Sequence, residues 1–266
     1  MALTQHEKGE AFRALHEGEP FIIPNPWDAG SAKVLAALGF KALATTSSGL
    51  AFTLGRLDGD ATLDEVIENA AVIAAATDLP VSVDLENGHG PDPSHAAQAI
   101  SRAAEAGAVG GSIEDFDRDS GEIYETERAA ERVAAAVEAA AALDFPFTLT
   151  ARAENLLHGR DDLDDTIARL QAYERAGADV LYAPGLRDGD QIRAVCDALG
   201  KPVNVLGHRG LTVAQITEAG GHRISVGGAL AWVAIEEMAT AAERIRDSGH
   251  MSALASSSRI KEWLSG

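Results

Sequence analysis

VSVDLENGHGPDPSHAAQAISRAAEAGAVGGSIED (81–115) is the stretch on which the fold turns. It opens with a short, almost continuously apolar run, VSVDLE (81–86), and closes with another, VGGSIED (109–115). Such runs suit strands buried on both faces of a parallel sheet. After a polar turn, Asp92-Pro93 offers a helix start, with Asp as cap and Pro in the first turn. An Ala-rich amphipathic helix is predicted over 93–106. Gly107 stops it, because Gly takes the left-handed conformation just past a helix end at little cost. The segment is one strand–helix–strand unit.

Outward from it the unit recurs in both directions. Strand-like runs lie at FIIP (21–24), KALATT (41–46), PFTLTA (146–151), DVLYAP (179–184), PVNVLG (202–207) and RISVGG (223–228); with the first two they make eight. Helices are predicted over 28–38, 62–76, 124–142, 163–176, 188–198 and 230–247, with Thr62 and Thr212 as caps, and the polar N-terminus also reads as helical. Pro80, Pro146 and Pro202 end helices where Gly does not. Eight runs alternating with helices over 266 residues, close to the ~250 typical of the fold, predict an α/β protein with a single (β/α)8 TIM barrel. An open doubly wound sheet is the alternative. No linker divides the chain, so 1–266 is expected to be one domain. Residues 250–266 are read as a small C-terminal helical extension after a Ser-rich hinge, placed to pack on a neighbouring subunit.

Hydrophobic residues make up 46% of the chain, enough for a sizeable core without crosslinks. The formal net charge of −19 repels phosphate backbones and anionic lipid, which argues against nucleic-acid and membrane partners. An anionic substrate needs local help against that field, from a metal ion or an arginine. Cys196 is the one cysteine, so no intrachain disulfide can form, in keeping with a reducing cytoplasm. No signal peptide is expected, since the first twenty residues lack its basic and apolar segments. No run of ~20 apolar residues offers a membrane span.

In a barrel of this kind the active site lies at the C-terminal strand ends, and here those ends are polar. They read Thr45-Thr46-Ser47-Ser48-Gly49, Asp84-Leu85-Glu86-Asn87-Gly88-His89-Gly90, Glu114-Asp115 and Arg152-Ala153-Glu154-Asn155; Asn204 lies in the seventh run, before His208 and Arg209. Asp84 and Glu86, two apart, share a face, and Glu114 follows at the same level. Carboxylates gathered at one mouth repel each other unless a divalent cation sits among them. The plainer alternative is that they cap helices or pair with Arg152. Arg152 in turn reads either as a substrate clamp or as their structural partner, and Ser47-Ser48-Gly49 as an anion-binding or an ordinary turn.

Five segments in order, PNPWDAGSAKVLAALGF, TTSSGLAFTLGRLDGD, VSVDLENGHG, GSIEDFD and TARAE, resemble the isocitrate lyase/phosphoenolpyruvate mutase superfamily over nearly the whole chain. The resemblance implies a Mg2+-dependent enzyme, with Mn2+ as an alternative ion. It implies a lyase that cleaves a small α-keto or α-hydroxy carboxylate through an enolate, in the manner of an oxaloacetate decarboxylase or a methylisocitrate lyase. It also implies a homodimer or homotetramer with the last helix exchanged between subunits. Asp84 would be the direct metal ligand, with Glu86, Glu114 and Asp60 around it. The Thr46, Ser47, Ser48, Gly49, Leu50 turn, Arg152 and Asn204 would hold the substrate. Arg152, Ser48, Glu114 and His89 would take part in catalysis.

The chain also departs from that pattern. The segment after the fourth run, DFDRDSGEIYETER, has neither the Lys nor the Cys of the family loop, and Tyr182 stands near where methylisocitrate lyases carry Glu. Thr46 replaces a Trp, and His89 a Tyr. The acid/base stays open among His89, Glu154, His158 and Arg118. Two other readings stay open beside the lyase: a phosphonopyruvate hydrolase or mutase acting on a P–C bond, and an inactive barrel that binds a keto acid.

Overall fold

In the computed structural model of the chain, which describes residues 3–252, 254 and 258–265, helix α1 (Gln5–Glu17) precedes the first strand, β1 (Phe21–Ile23). There follow α2 (Ala29–Ala37), β2 (Leu43–Ala44), α3 (Ser47–Thr53), α4 (Leu63–Ala75), β3 (Val81–Asp84), α5 (Pro93–Glu105) and β4 (Gly110–Glu114). A small hairpin, β5 (Phe116–Asp117) and β6 (Glu122–Ile123), leads to α6 (Thr126–Ala141), β7 (Thr148–Arg152), α7 (Leu163–Arg175) and β8 (Val180–Tyr182). The rest is α8 (Gly189–Asp197), β9 (Val203–Leu206), α9 (Val213–Glu218), β10 (Arg223–Ser225), α10 (Ala229–Ser248) and α11 (Ser258–Ser265).

Eight strands form one parallel sheet in the order β1-β10-β9-β8-β7-β4-β3-β2, curling until its two ends meet. The seam between β1 and β2 is thin for a chemical reason. Pro24 and Pro26 have no N–H to give to a ladder. One backbone bond crosses, from Ala44 N to the Pro24 carbonyl at 3.1 Å. Asn25 adds the second link: its Nδ2 donates to the Thr45 carbonyl at 3.1 Å, while its Oδ1 is anchored on the β10 side by Val226 N at 2.9 Å. The fold is thus the (β/α)8 barrel and not the open sheet.

The strand–helix–strand unit of 81–115 is as predicted, with α5 between β3 and β4. Its buried face, Ala96, Ala99, Ile100 and Ala103, meets Ala129, Val133 and Ala136 of α6; small side chains let the two helices approach closely. Thr62 and Thr212 cap α4 and α9 reciprocally with Glu65 and Gln215. Three short pieces differ from the sequence reading: α3 occupies a stretch read as a turn, β5–β6 a stretch read as a loop, and β2 is shorter than 41–46. Each is too short for periodicity to show.

At the C-terminus, α11 lies against α2 of the same chain, where Lys33 Nζ donates to the Leu264 carbonyl at 3.2 Å. The expected Ser-rich hinge falls at 255–257, outside the described residues. On α10 only Ala231 is buried, while Trp232, Val233 and Met238 face solvent. Among the described residues no helix is long and apolar enough to cross a membrane.

The N-terminal end of the barrel is plugged by α1. Phe12 is fully buried among Phe21, Ile23, Ala42 and Val109. Gly9 faces the Pro146 carbonyl so closely that a Cβ there would collide with backbone, which cannot rotate away. Gly9→Ala is therefore expected to destabilise the fold by about 1–3 kcal/mol, as overpacking does. Helix propensity alone predicts the opposite sign, so a thermal unfolding comparison decides between them.

Candidate active site

A cavity of about 190 Å³ opens at the C-terminal strand ends. Thr45, Thr46, Ser47 and Ser48 line it from the β2–α3 junction, Asp84 from β3, Ser112 from β4 and Arg152 from β7. Tyr182, Asn204, Arg223 and Ser225 complete it from β8, β9 and β10. Parallel strands place these side chains together because inward-facing residues at one level of neighbouring strands converge on the barrel axis.

Arg152 is the hub. Its Nη1 meets Asp84 Oδ1 at 2.8 Å, its Nη2 Glu114 Oε2 at 3.0 Å and its Nε Glu154 Oε1 at 2.8 Å. Its guanidinium lies 5.3 Å from the Tyr182 ring centre. Asp84 also accepts from Ser47 N at 3.3 Å and Ser112 Oγ at 3.4 Å. Burial works to raise the Asp84 carboxyl, but Arg152 and the Ser47 N–H outweigh it and hold it below the ordinary range. For Glu114 and Glu154 burial wins over Arg152, and both are raised. Glu86 is pushed up to about 7 by burial, against the pull of Arg118, which meets it at 2.5 Å.

Among the described residues no group of three or more His, Cys, Asp or Glu side chains forms a ready-made metal cage. The chemistry of the donors still suits a hard divalent ion. Four carboxylates (Asp84, Glu86, Glu114, Glu154) meet only two guanidiniums (Arg118, Arg152) in their ion pairs. Glu86 Oε1 is buried without a hydrogen-bond partner. The surplus that drives protons onto these groups would equally hold Mg2+, which needs few direct protein ligands and keeps waters.

The other predicted residues fall at varied distances from the cavity. Thr46, Ser47, Ser48 and Asn204 line it, whereas Gly49 and Leu50 are buried behind. The Gly49 N–H is spent on Thr46 Oγ1 at 3.4 Å and the Leu50 N–H on the Thr46 carbonyl at 3.1 Å, both as the start of α3. Asp60 is exposed, and it is Asp58 that reaches the cavity wall. His89 has a φ of 58° and Glu86 of 50°, a conformation disfavoured for both that marks the turn as strained. His89 is partly buried and its Nε2 has no hydrogen-bond partner; burial lowers its pKa. His158 stacks on Phe116 with ring centres 3.5 Å apart.

The β5–β6 hairpin supplies one cation to the mouth, Arg118, whose Nη1 also donates to the Asp58 carbonyl at 3.3 Å. Behind the mouth, Asp115 accepts from Glu154 N (2.8 Å), Arg169 Nη1 (3.1 Å) and Tyr173 Oη (2.6 Å). This ties α7 to the loop that carries Glu154.

The sequence pattern of the phosphoenolpyruvate phosphomutase family matches residues 12–246. The chain belongs to this family. A solved structure from Burkholderia cenocepacia J2315, provisionally named a lyase/mutase, is 52% identical, with a TM-score of 0.95 over 98% of this chain and 97% of that one. The 2-methylisocitrate lyase of Escherichia coli (strain K12) is 31% identical over 82% of this chain and 73% of its own. An oxaloacetate acetylhydrolase, solved with its product oxalate, is 27% identical with a TM-score of 0.88, covering 97% and 94% of the two chains. Relatives and structural neighbours are lyases and mutases of the isocitrate lyase/phosphoenolpyruvate mutase superfamily, and the chain is an enzyme of that superfamily.

Sequence reasoning did not assign Tyr182, Arg223, Ser225, Ser112 or Asp58 to the site. Arg223 and Ser225 alternate in β10 and so share a face, a signal that could have placed both inside the barrel. Asp58 had no such signal, because its position depends on how the loop folds.

Because the Glu86 carboxyl binds its proton more tightly in the folded than in the unfolded chain, its contribution favours folding below the ordinary glutamate range. That contribution is lost as pH rises towards 7. In chelator, Glu86→Gln is expected to be more stable than wild type at pH 8, by on the order of 1–3 kcal/mol. The two proteins should converge near pH 4–5. Melting curves across that range check both the sign and the window.

Proposed function

We propose that the chain is a Mg2+-dependent carbon–carbon lyase acting on a small α-keto or α-hydroxy carboxylate, with oxaloacetate as the first candidate. The observation that carries this reading is the charge arrangement of the cavity: the Arg152 and Arg223 guanidiniums in a small hydroxyl-lined space, with a surplus of buried carboxylate behind Arg152. Asp84 would hold the ion directly, and Glu86 and Glu114 its waters. Bound Mg2+ supplies Lewis-acid charge at the keto and carboxylate oxygens of the substrate.

Arg152 is saturated by three carboxylates. Asp84, if engaged by a cation, would leave Arg152 Nη1, which faces the cavity, free to grip a substrate carboxylate. Ser47 and Ser48 face the same space. In decarboxylation the breaking C–C pair moves into the enolate of pyruvate as CO2 leaves, and Arg152 and Ser48 stand where the enolate charge develops. This chemistry asks little of the β5–β6 hairpin, which has neither Lys nor Cys. The similar oxaloacetate acetylhydrolase is named for action on oxaloacetate, which supports that candidate.

The test is turnover of oxaloacetate, 2-methylisocitrate, isocitrate and phosphonopyruvate with Mg2+, using Asp84→Ala and chelator as controls. Pyruvate from oxaloacetate, lost in both controls, is the expected result. Phosphate from phosphonopyruvate would transfer the chain to P–C chemistry. Ligand-induced thermal shifts without any turnover would make it a binding barrel.

We also infer a cytoplasmic homo-oligomer whose interface includes α10, since Trp232, Val233 and Met238 expose apolar surface along one helix. Light scattering should give a dimer or tetramer, and Trp232→Lys with Met238→Lys should shift it towards monomer. A wild-type monomer at tens of micromolar would sink this assignment.

A further inference from the structure

Decarboxylation leaves a carbanion equivalent that needs one proton, and the residues considered for that role from the sequence do not line the cavity. His89, Glu154, His158 and Arg118 all lie outside its wall. The ionisable residues that do line it are Asp58, Asp84, Arg152, Tyr182 and Arg223. Asp58 is on the exposed rim, Asp84 is bound to Arg152, and arginine does not give up a proton. Tyr182 remains.

The barrel floor fixes where the Tyr182 hydrogen points. His16 sits with Nδ1 2.8 Å from the Phe12 carbonyl, which can only accept, so Nδ1 carries the hydrogen and Nε2 is an acceptor. Arg223 Nη1 lies 3.3 Å from that Nε2, and its Nη2 donates to Thr150 Oγ1 at 2.9 Å. Burial and the Arg223 charge push His16 down to about 3, so it stays neutral. Arg223 has only hydrogens to offer. Its Nε contact of 2.8 Å therefore forces the oxygen of the Asn204 amide towards it and the nitrogen away.

That nitrogen donates to Ser225 Oγ at 3.0 Å. Ser225 has one hydrogen left to give, and it shares the cavity wall with Tyr182, whose phenol it favours in the ionised form. A hydrogen given by Ser225 to the Tyr182 oxygen leaves the phenol's own hydrogen to seek another acceptor, and Tyr182 lines the cavity. Each link is a donor that passes its polarity to the next, and the series starts from a group that cannot reverse.

We propose that Tyr182 is the catalytic acid of this site, and that Arg223, Asn204 and Ser225 are positioning residues that aim its proton. The inference rests on the lyase reading above. The enolate carbon takes the proton from Tyr182 Oη. The resulting phenolate is held by the Ser225 hydrogen bond and by the Arg152 guanidinium beside its ring. It regains a proton from water as product leaves, and the hydroxide joins CO2 as bicarbonate. Oxaloacetate and water thus become pyruvate and bicarbonate, with no other reactant. Burial pushes Tyr182 up to about 12, so the phenol carries its proton at neutral pH.

The reverse of the protonation step is exchange of the pyruvate methyl hydrogens. The experiment follows that exchange by NMR in D2O with Mg2+, alongside calorimetric binding of oxalate, for wild type, Tyr182→Phe and Ser225→Ala. Tyr182→Phe should lose exchange by at least ~100-fold, the scale of a general acid, while oxalate affinity and melting temperature stay near wild type. Ser225→Ala keeps the phenol but not its direction, and should lose about tenfold, the worth of one hydrogen bond. A purely structural Tyr182 would move oxalate binding and exchange together, which overturns the proposal. So would undiminished exchange in Tyr182→Phe beside an active wild type. A wild type that neither binds oxalate nor exchanges pyruvate overturns the lyase reading as well.

Discussion

The three-way ion pair of Arg152 is the interaction on which the mouth of the barrel depends. A buried guanidinium has to be surrounded by acceptors, and a buried carboxylate left alone is strongly destabilising. Asp84, Glu114 and Glu154 come from the ends of β3, β4 and β7 and can meet one cation only if those strands keep their register. The consecutive acids Glu114 and Asp115 are divided by the strand's alternation. One faces Arg152 inside; the other reaches Arg169 and Tyr173 of α7. A single stretch of two residues thus fastens the barrel both to its centre and to its outer ring.

Mouth and floor solve opposite electrostatic problems. The mouth gathers more negative charge than its arginines neutralise, so its carboxylates hold protons or a cation. The floor buries one positive charge, Arg223, among neutral acceptors, and burial lowers its pKa to about 10. Neutral partners leave the arginine charged but orient every amide and hydroxyl around it. The first arrangement makes an ion-binding site, the second a set of aligned dipoles beneath it.

Much of this was legible in the sequence. The apolar runs and Gly or Pro stops gave all eight barrel strands, and Asp84, Glu114 and Arg152 could be placed at one mouth because strand ends in this fold converge. What the sequence left ambiguous was partnership. Arg152 as clamp or as structural partner could be told apart only by distance, and it is engaged by three acids at once. Asp60 and Asp58 differ by two residues in an irregular loop, where no period says which one turns inward. Arg223, Asn204 and Ser225 lie in short runs whose polar character is visible but whose connectivity needs the register of β9 with β10. The hairpin and α3 are built from pieces of two to seven residues, below the length at which pattern speaks.

The thin seam between β1 and β2 gives the barrel unequal stiffness. Elsewhere, neighbouring strands share regular ladders; here closure rests on one backbone bond and an asparagine side chain. Local opening takes least work where fewest bonds must break at once, so the amide hydrogen at Ala44 lies at the quickest point of the sheet to exchange with solvent. Thr45 to Ser48 continue directly from that point. The cavity therefore has one rigid jaw, built on Arg152 and its acids, and one compliant jaw, hung from a proline-interrupted joint. A ligand that fits imperfectly would be accommodated by movement on the serine side and resisted on the arginine side.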